Sequence, residues 1–173
     1  MGIDVRLDHT FDLSPEVFWR DVYFDAKYTE QVFLEGLGMR RVAVVGDAVG
    51  ADGKRRRQVD VDLAPLELPG PVQKLLKGGL GYREDLVFDA ARGEATFTYR
   101  FNQLTDRLVM SGRMTTEETS DGRTRRLTVV HFEANVFGIG GLVEKAAERI
   151  TRDTWEKSAA YTRQWIARRP PSA

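Results

Sequence analysis

Apolar and polar residues alternate along most of this 173-residue chain, which is the pattern of β-strands with one buried face. In the first run, Ile3, Val5 and Leu7 share a side with His9 and Phe11. The alternation returns at residue 39 and continues to residue 136. We predict strands at residues 3–11, 41–49, 57–64, 82–88, 95–101, 107–118 and 124–136.

Short turns join the later strands. Gly50-Ala51-Asp52-Gly53 is the strongest turn signal, and further turns lie at residues 89–93, 103–106 and 120–123. A proline-rich stretch at residues 65–71 interrupts the sheet between the third and fourth strands. Consecutive strands that are joined by short turns pair antiparallel, so we predict an antiparallel meander.

Helical signals flank this meander. After the first strand, Ser14 offers an N-cap hydroxyl and Pro15 suits the first helical position, and a second short helix follows from Asp25. The last segment, from about Gly140 to Arg168, contains no proline and, beyond Gly141, no glycine, and we predict one long helix there. Its apolar stripe recurs mostly at steps of three and four and comprises Ile139, Leu142, Val143, Ala146, Ile150, Thr154, Tyr161 and Trp165. Pro170 and Pro171 are expected to end it.

A sheet with one apolar face needs a cover, and the long helix carries the largest apolar stripe in the chain. We therefore expect a curved sheet of about seven strands to wrap around this helix as one domain over residues 1–173. Because one helix cannot fill the concave side of so wide a sheet, a cavity should remain between them. The short helices and the proline-rich stretch would lie at its mouth.

Three segments carry a resemblance to a known family. They are Phe11-Asp12-Leu13-Ser14-Pro15-Glu16-Val17-Phe18-Trp19, Phe24-Asp25-Ala26-Lys27-Tyr28 and Val136-Phe137-Gly138-Ile139-Gly140-Gly141-Leu142-Val143-Glu144-Lys145. With the element order, they resemble the START and polyketide-cyclase superfamily (SRPBCC, Bet v1-like helix-grip proteins). Within it they resemble a bacterial branch described only as a domain of unknown function. The branch usually has a proline where this chain has Phe137. The resemblance implies an α+β helix-grip fold and binding of lipids, sterols, polyketides or other apolar molecules.

The favoured function is therefore non-enzymatic binding or transport of a hydrophobic small molecule or lipid in the cavity. Methionines and a glycine on an inward strand suit an adaptable pocket, because a thioether is flexible and glycine leaves room. The expected lining comprises Val61, Leu63, Phe97, Tyr99, Phe101, Met110, Gly112, Met114, Phe132, Leu142, Val143, Ala146 and Ile150. One buried arginine could anchor an acidic head group, and Arg113 is the first candidate.

Two alternatives stay open. His131 and Glu133 share a strand face and could act as an acid/base pair in a cyclase-, aromatase- or hydrolase-like enzyme, as could Tyr99. Strand parity favours a polar pair on the solvent face of the sheet, because Val130 and Phe132 alternate with His131 and Glu133 and should face the cavity instead. The second alternative is a protein-interaction module on the same fold, which would have a closed core and an exposed apolar patch.

The composition of the chain argues against nucleic-acid binding, membrane binding and metal or cofactor chemistry. Lys and Arg total 26, as do Asp and Glu, so no net charge attracts nucleic acid or an anionic membrane. The basic runs 54–57 and 123–126 are expected to be solvated turns. The chain has no cysteine and only two histidines, so we expect no metal site and no cofactor. Neither a signal peptide nor a membrane span is visible, and we expect a cytoplasmic protein without stable membrane insertion.

Overall fold

The computed structural model describes residues 1–169 and contains one antiparallel sheet of seven strands in the order β1-β7-β6-β5-β4-β3-β2. Its strands are β1 (Gly2–Phe11), β2 (Arg41–Val49), β3 (Arg55–Asp62), β4 (Gly81–Asp89), β5 (Glu94–Phe101), β6 (Leu108–Glu118) and β7 (Thr124–Ala134). The predicted meander is confirmed from β2 to β7, and β1 pairs with β7.

Two strands, β3 and β7, end two residues earlier than predicted. β3 ends at Asp62 rather than at residue 64, because the Leu63 amide donates to the carbonyl of Leu80 and Pro65 follows. β7 ends at Ala134, two residues before Val136. Leu63 thereby belongs to the loop between β3 and β4 rather than to a strand.

Both predicted short helices follow β1, and each has the side-chain cap that its sequence indicates. The helices are α1 (Pro15–Val17), which continues in wider π-helical turns over Phe18–Tyr23, and α2 (Ala26–Gln31), which continues likewise over Val32–Gly36. The Ser14 hydroxyl accepts from the Val17 amide at 3.4 Å, and the Asp25 carboxylate accepts from the Tyr28 amide at 2.7 Å. A further turn of helix, α3 (Gly70–Gln73), lies in the proline-rich loop.

The predicted long helix is confirmed as α4 (Gly140–Arg168), which packs on the concave face of the sheet, chiefly against β1 and β7. Val143, Ala146, Ala159 and Trp165 are buried on its inner side. The two prolines that were expected to end it lie outside the described residues. None of the helices in residues 1–169 combines the length and the apolar character needed to cross a bilayer.

Glycines make the corner between β7 and α4. Gly138 has a positive φ of 77°, which L-residues with side chains rarely adopt. A Cβ at Gly140 would lie 2.7 Å from the carbonyl oxygen of Ala134, so the helix could not begin so close to the strand with a larger residue. Phe137, where the related branch usually has proline, is fully exposed at this corner.

Candidate functional site

An apolar cavity of about 130 Å³ lies between the sheet and the first half of α4. We call it the outer chamber. Strands β4 to β7 supply Tyr82, Tyr99, Phe101, Leu108, Met110 and Phe132. The other walls come from α4 and from the loop between β3 and β4. The lining as a whole is almost entirely apolar. Its polar groups are the hydroxyls of two threonines and the indole N–H of Trp155 on α4, and the hydroxyls of the two tyrosines.

Many of the residues expected to contact a ligand do line the outer chamber. These are Leu63, Tyr99, Phe101, Met110, Phe132, Val143, Ala146 and Ile150. Their inward position follows from strand parity and from the helical stripe, which were both visible in the sequence. Contact with a ligand stays a prediction for each of them.

The other expected lining residues lie elsewhere. Phe97 and Met114 belong to a filled part of the core, where the ring of Phe97 packs against Trp155 with centroids 6.0 Å apart. Gly112 leaves room, but for the Phe97 ring across the strand pair rather than for a ligand. Val61 is buried away from the chamber, and Leu142 is 37 % exposed because it falls on the outer side of α4.

The loop between β3 and β4 supplies a whole wall of the outer chamber, whereas the sequence analysis expected its proline-rich stretch only at the cavity mouth. Its contributing residues beyond Leu63 are Leu66, Leu68, Val72, Leu75, Leu76 and Leu80. These leucines follow no single helical or strand period, so pattern analysis treated the segment as a break in the sheet. Their density between prolines and glycines was the available signal, because a purely connecting loop rarely needs so many apolar side chains.

A second cavity of about 70 Å³, with charged side chains in its wall, adjoins the first, and we call it the inner chamber. The two chambers share Tyr82, Tyr99, Thr154 and Trp155 as wall residues. Its remaining lining, partly from α2 and the turns around it, is Tyr23, Tyr28, Thr29, Val32, Phe33, Leu37, Arg57, Glu84, Arg126 and Ser158. Three ionisable side chains that the sequence analysis assigned no inward role, Arg57, Glu84 and Arg126, therefore face the interior.

Arg57 and Glu84 form a buried pair on neighbouring strands. Nη2 of Arg57 lies 3.6 Å from Oε1 of Glu84, and the side chains are only 5 % and 6 % exposed. Arg57 also donates from Nη1 to the Tyr23 carbonyl at 3.0 Å. Burial raises the pKa of Glu84 by more than the nearby Arg57 charge lowers it. Oε1 of Glu84 has no hydrogen-bond partner in the described structure, which leaves it free to accept a bond from a bound molecule.

Arg126 is 1 % exposed, and its guanidinium carbon lies over the rings of Phe11 and Trp155, 4.9 and 5.1 Å from their centroids. Its Nη2 donates to Nδ1 of His9 at 3.1 Å, and the other ring nitrogen of His9 lies 3.0 Å from a Glu156 oxygen. Burial lowers the pKa of Arg126, but an arginine pKa begins so high that the group stays charged at neutral pH.

These arginines correct two predictions. Arg113 is not a head-group anchor, because it lies on the outer face, 60 % exposed and 3.7 Å from Glu94. The basic runs are not wholly solvated turns, because their last members, Arg57 and Arg126, point inward. Parity was the signal that could have found them: Arg57 alternates in step with Val59 and Val61 of the buried face.

The proposed acid/base pair of His131 and Glu133 is wrong, because both lie on the outer face of β7. Nδ1 of His131 bonds to the Asp4 carboxylate at 2.8 Å, across the strand pair and away from both chambers. Tyr99 does face the interior. Burial holds its pKa well above the usual value, so its hydroxyl stays protonated and serves as a hydrogen-bond donor rather than as a base. No three His, Asp or Glu side chains converge on a possible metal site in residues 1–169.

Comparison with solved structures identifies the fold. The START superfamily protein from Mycobacterium smegmatis is 12% identical with a TM-score of 0.58, over 95% of this chain and 98% of that one. Zhui aromatase/cyclase from Streptomyces sp. R1128 is 13% identical with a TM-score of 0.66, over 100% of both chains. Norcoclaurine synthase from Thalictrum flavum, solved with dopamine and hydroxybenzaldehyde, is 11% identical with a TM-score of 0.67, over 99% of this chain and 90% of that one.

These likenesses confirm the predicted helix-grip fold of START and Bet v1-like proteins. No curated protein gives a significant match to this sequence. The family-level resemblance is confirmed as well, since one family model spans residues 6–166. The chain belongs to that family, which is described as Protein of unknown function (DUF2505).

Proposed function

We propose that this protein binds a hydrophobic small molecule or lipid in the outer chamber and catalyses no reaction on it. The observation that carries the proposal is the almost entirely apolar lining of a cavity that the long helix and the sheet hold open. Transfer of apolar surface from water into such a cavity is favourable by about 25 cal/mol per Å². A concave, mostly apolar cavity with a few convergent polar groups is also the usual form of a small-molecule site.

Ligand retention through purification tests this proposal. The protein is purified without added ligand, examined by native mass spectrometry and extracted with organic solvent for identification of any bound species. In parallel, the neutral fluorophore N-phenyl-1-naphthylamine is titrated into the stripped protein. We expect saturable fluorescence enhancement, because the probe gains an apolar environment inside the cavity.

A matched pair of variants locates the binding. Ala146→Leu adds three carbon atoms inside the outer chamber, whereas Ala160→Leu makes the same change on the exposed side of the same helix. We expect Ala146→Leu to weaken probe binding about tenfold or more and Ala160→Leu to leave it unchanged. Equal affinity in both variants would place the probe elsewhere, and the proposal would fail.

The alternatives have weaker support. An enzyme based on His131 lacks the required geometry, because that side chain lies on the outer face of β7. An interaction module needs a closed core, whereas a cavity lies under α4. Binding is therefore the function that the described side chains favour.

A further inference from the structure

The inner chamber carries a surplus positive charge. Its charged wall residues are Arg57, Glu84 and Arg126, and Glu84 lies against Arg57. One negative charge therefore faces two positive charges. Within residues 1–169 no carboxylate lies within ion-pair distance of Arg126. A buried charge without a counter-ion is unfavourable, so this arrangement suggests that a partner is supplied from outside the chain.

The existing contacts of Arg126 use only part of its capacity to donate hydrogen bonds. A guanidinium has five N–H donors, and here Nη2 donates to neutral His9 while Nε has no hydrogen-bond partner. Glu156 compensates the charge weakly, because it is separated from Arg126 by the His9 ring and is 58 % exposed to solvent. The rings of Phe11 and Trp155 contact the guanidinium but supply no counter-charge.

We infer that the inner chamber binds the carboxylate of an acidic apolar molecule on Arg126, while the apolar body of that molecule occupies the outer chamber. The shared walls at Tyr82, Tyr99, Thr154 and Trp155 bring the two chambers together. This inference rests on the proposed function and specifies the class of ligand.

A pair of probes that differ only in the head group tests the inference. Octanoate and 1-octanol have the same eight-carbon chain, but only octanoate carries a charge at about pH 7.5. Both are titrated into wild-type protein by calorimetry. We expect octanoate to bind about tenfold or more tightly than 1-octanol, as a charge-assisted hydrogen bond in a buried site implies.

Substitutions at Arg126 and at its sequence neighbour Arg125 provide matched variants. Arg126→Met removes the buried charge, and Arg126→Lys keeps it. Arg125→Met makes the same change on the outer face of β7, where Arg125 is paired with Asp8 at 2.7 Å and with Glu117 at 2.9 Å. We expect the preference for octanoate to fall below about twofold in Arg126→Met and to persist in Arg125→Met and Arg126→Lys.

Wild-type protein supplies a readout that does not depend on the folding of any variant. The Nε–H resonance of Arg126 in a ¹⁵N-correlated NMR spectrum should move with octanoate and stay in place with 1-octanol. Equal affinities with an unmoved resonance would overturn the inference and leave the proposed function standing. If neither octanoate nor 1-octanol binds, both the inference and the proposed function are overturned. A preference for octanoate that survives Arg126→Met would assign the carboxylate to another group and overturn the role of Arg126.

Discussion

Nδ1 of His9 accepts a hydrogen bond from Nη2 of Arg126, 3.1 Å away, so this ring nitrogen carries no proton in the folded protein. The guanidinium has only donors, which determines the tautomer: the His9 proton lies on Nε2 and is donated to Glu156 at 3.0 Å. A second proton on His9 would meet the Arg126 charge. Burial, followed by the Arg126 charge, accordingly lowers the pKa of His9.

The neutral state of His9 predicts a loss of stability in mild acid. An unfolded histidine takes up a proton below about pH 6.5, whereas folded His9 does so only at lower pH. The unfolded state therefore binds more protons in this window, and the free energy of unfolding falls as the pH drops, by at most about 1.4 kcal/mol per pH unit. Urea denaturation at pH 7.5 and 5.5 measures the change.

Two variants separate this effect from general acid sensitivity. His9→Gln removes the titrating ring and should reduce the difference between the two pH values. His131→Gln removes the histidine on the outer face and keeps the contact between His9 and Arg126. It should therefore retain the loss of stability that His9 causes in mild acid. Identical pH dependence in wild type and His9→Gln would contradict the prediction.

The sheet and the long helix could be predicted because their patterns repeat. Side chains at alternate positions of β7, such as Val130 and Phe132, lie on the buried face that parity assigns to them. The same rule placed Arg57 and Arg126 inward, but the basic runs around them suggested solvated turns. The basic composition of these runs favoured solvated turns over the inward position that parity indicates, so the charged side chains of the inner chamber were not predicted.

The cavity itself could be predicted only in part. Strand parity identified Tyr99 and Met110, and the helical stripe identified Val143 and Ile150. Which part of the concave face stays open depends on where side chains from distant segments meet, such as Phe97 with Trp155. Local periodicity carries no information about such long-range packing, so the filled and open parts of the face could not be distinguished.

Gly112 gives a prediction about packing. A Cβ at this position would lie 2.7 Å from a ring carbon of buried Phe97 and 2.8 Å from the Val129 carbonyl oxygen. Gly112→Ala should therefore destabilise the protein by about 1–3 kcal/mol, measured by urea denaturation. Gly141→Ala is the control, because nothing lies near a Cβ there and alanine favours the helix, so its stability should hold or rise. An unchanged free energy of unfolding in Gly112→Ala would contradict this prediction, because the sheet would then accommodate the added Cβ without strain.

The link between α2 and α4 gives a third prediction. Thr162 gives its hydroxyl proton to the Ser158 carbonyl at 2.7 Å, so the Tyr28 hydroxyl, also 2.7 Å away, is the donor to Thr162. Tyr28→Phe removes this buried bond and should reduce the free energy of unfolding by about 1 kcal/mol. Tyr161→Phe removes a solvent-exposed bond to Glu35 and should change it by less than about 0.5 kcal/mol. Equal effects would contradict the buried role of Tyr28.

The buried pair of Arg57 and Glu84 gives the last prediction, because the same two strands carry a more exposed pair for comparison. Glu84→Ala leaves the Arg57 charge buried without its partner and should destabilise the protein by about 3–5 kcal/mol. Asp60→Ala breaks the pair with Arg83 on the outer face and should reduce stability by no more than about 1 kcal/mol. The double variant Arg57→Met with Glu84→Leu removes both buried charges and should recover much of the loss. If Glu84→Ala and Asp60→Ala reduced the stability equally, the prediction would be wrong. Water would then have to reach Arg57 through the inner chamber and hydrate its charge.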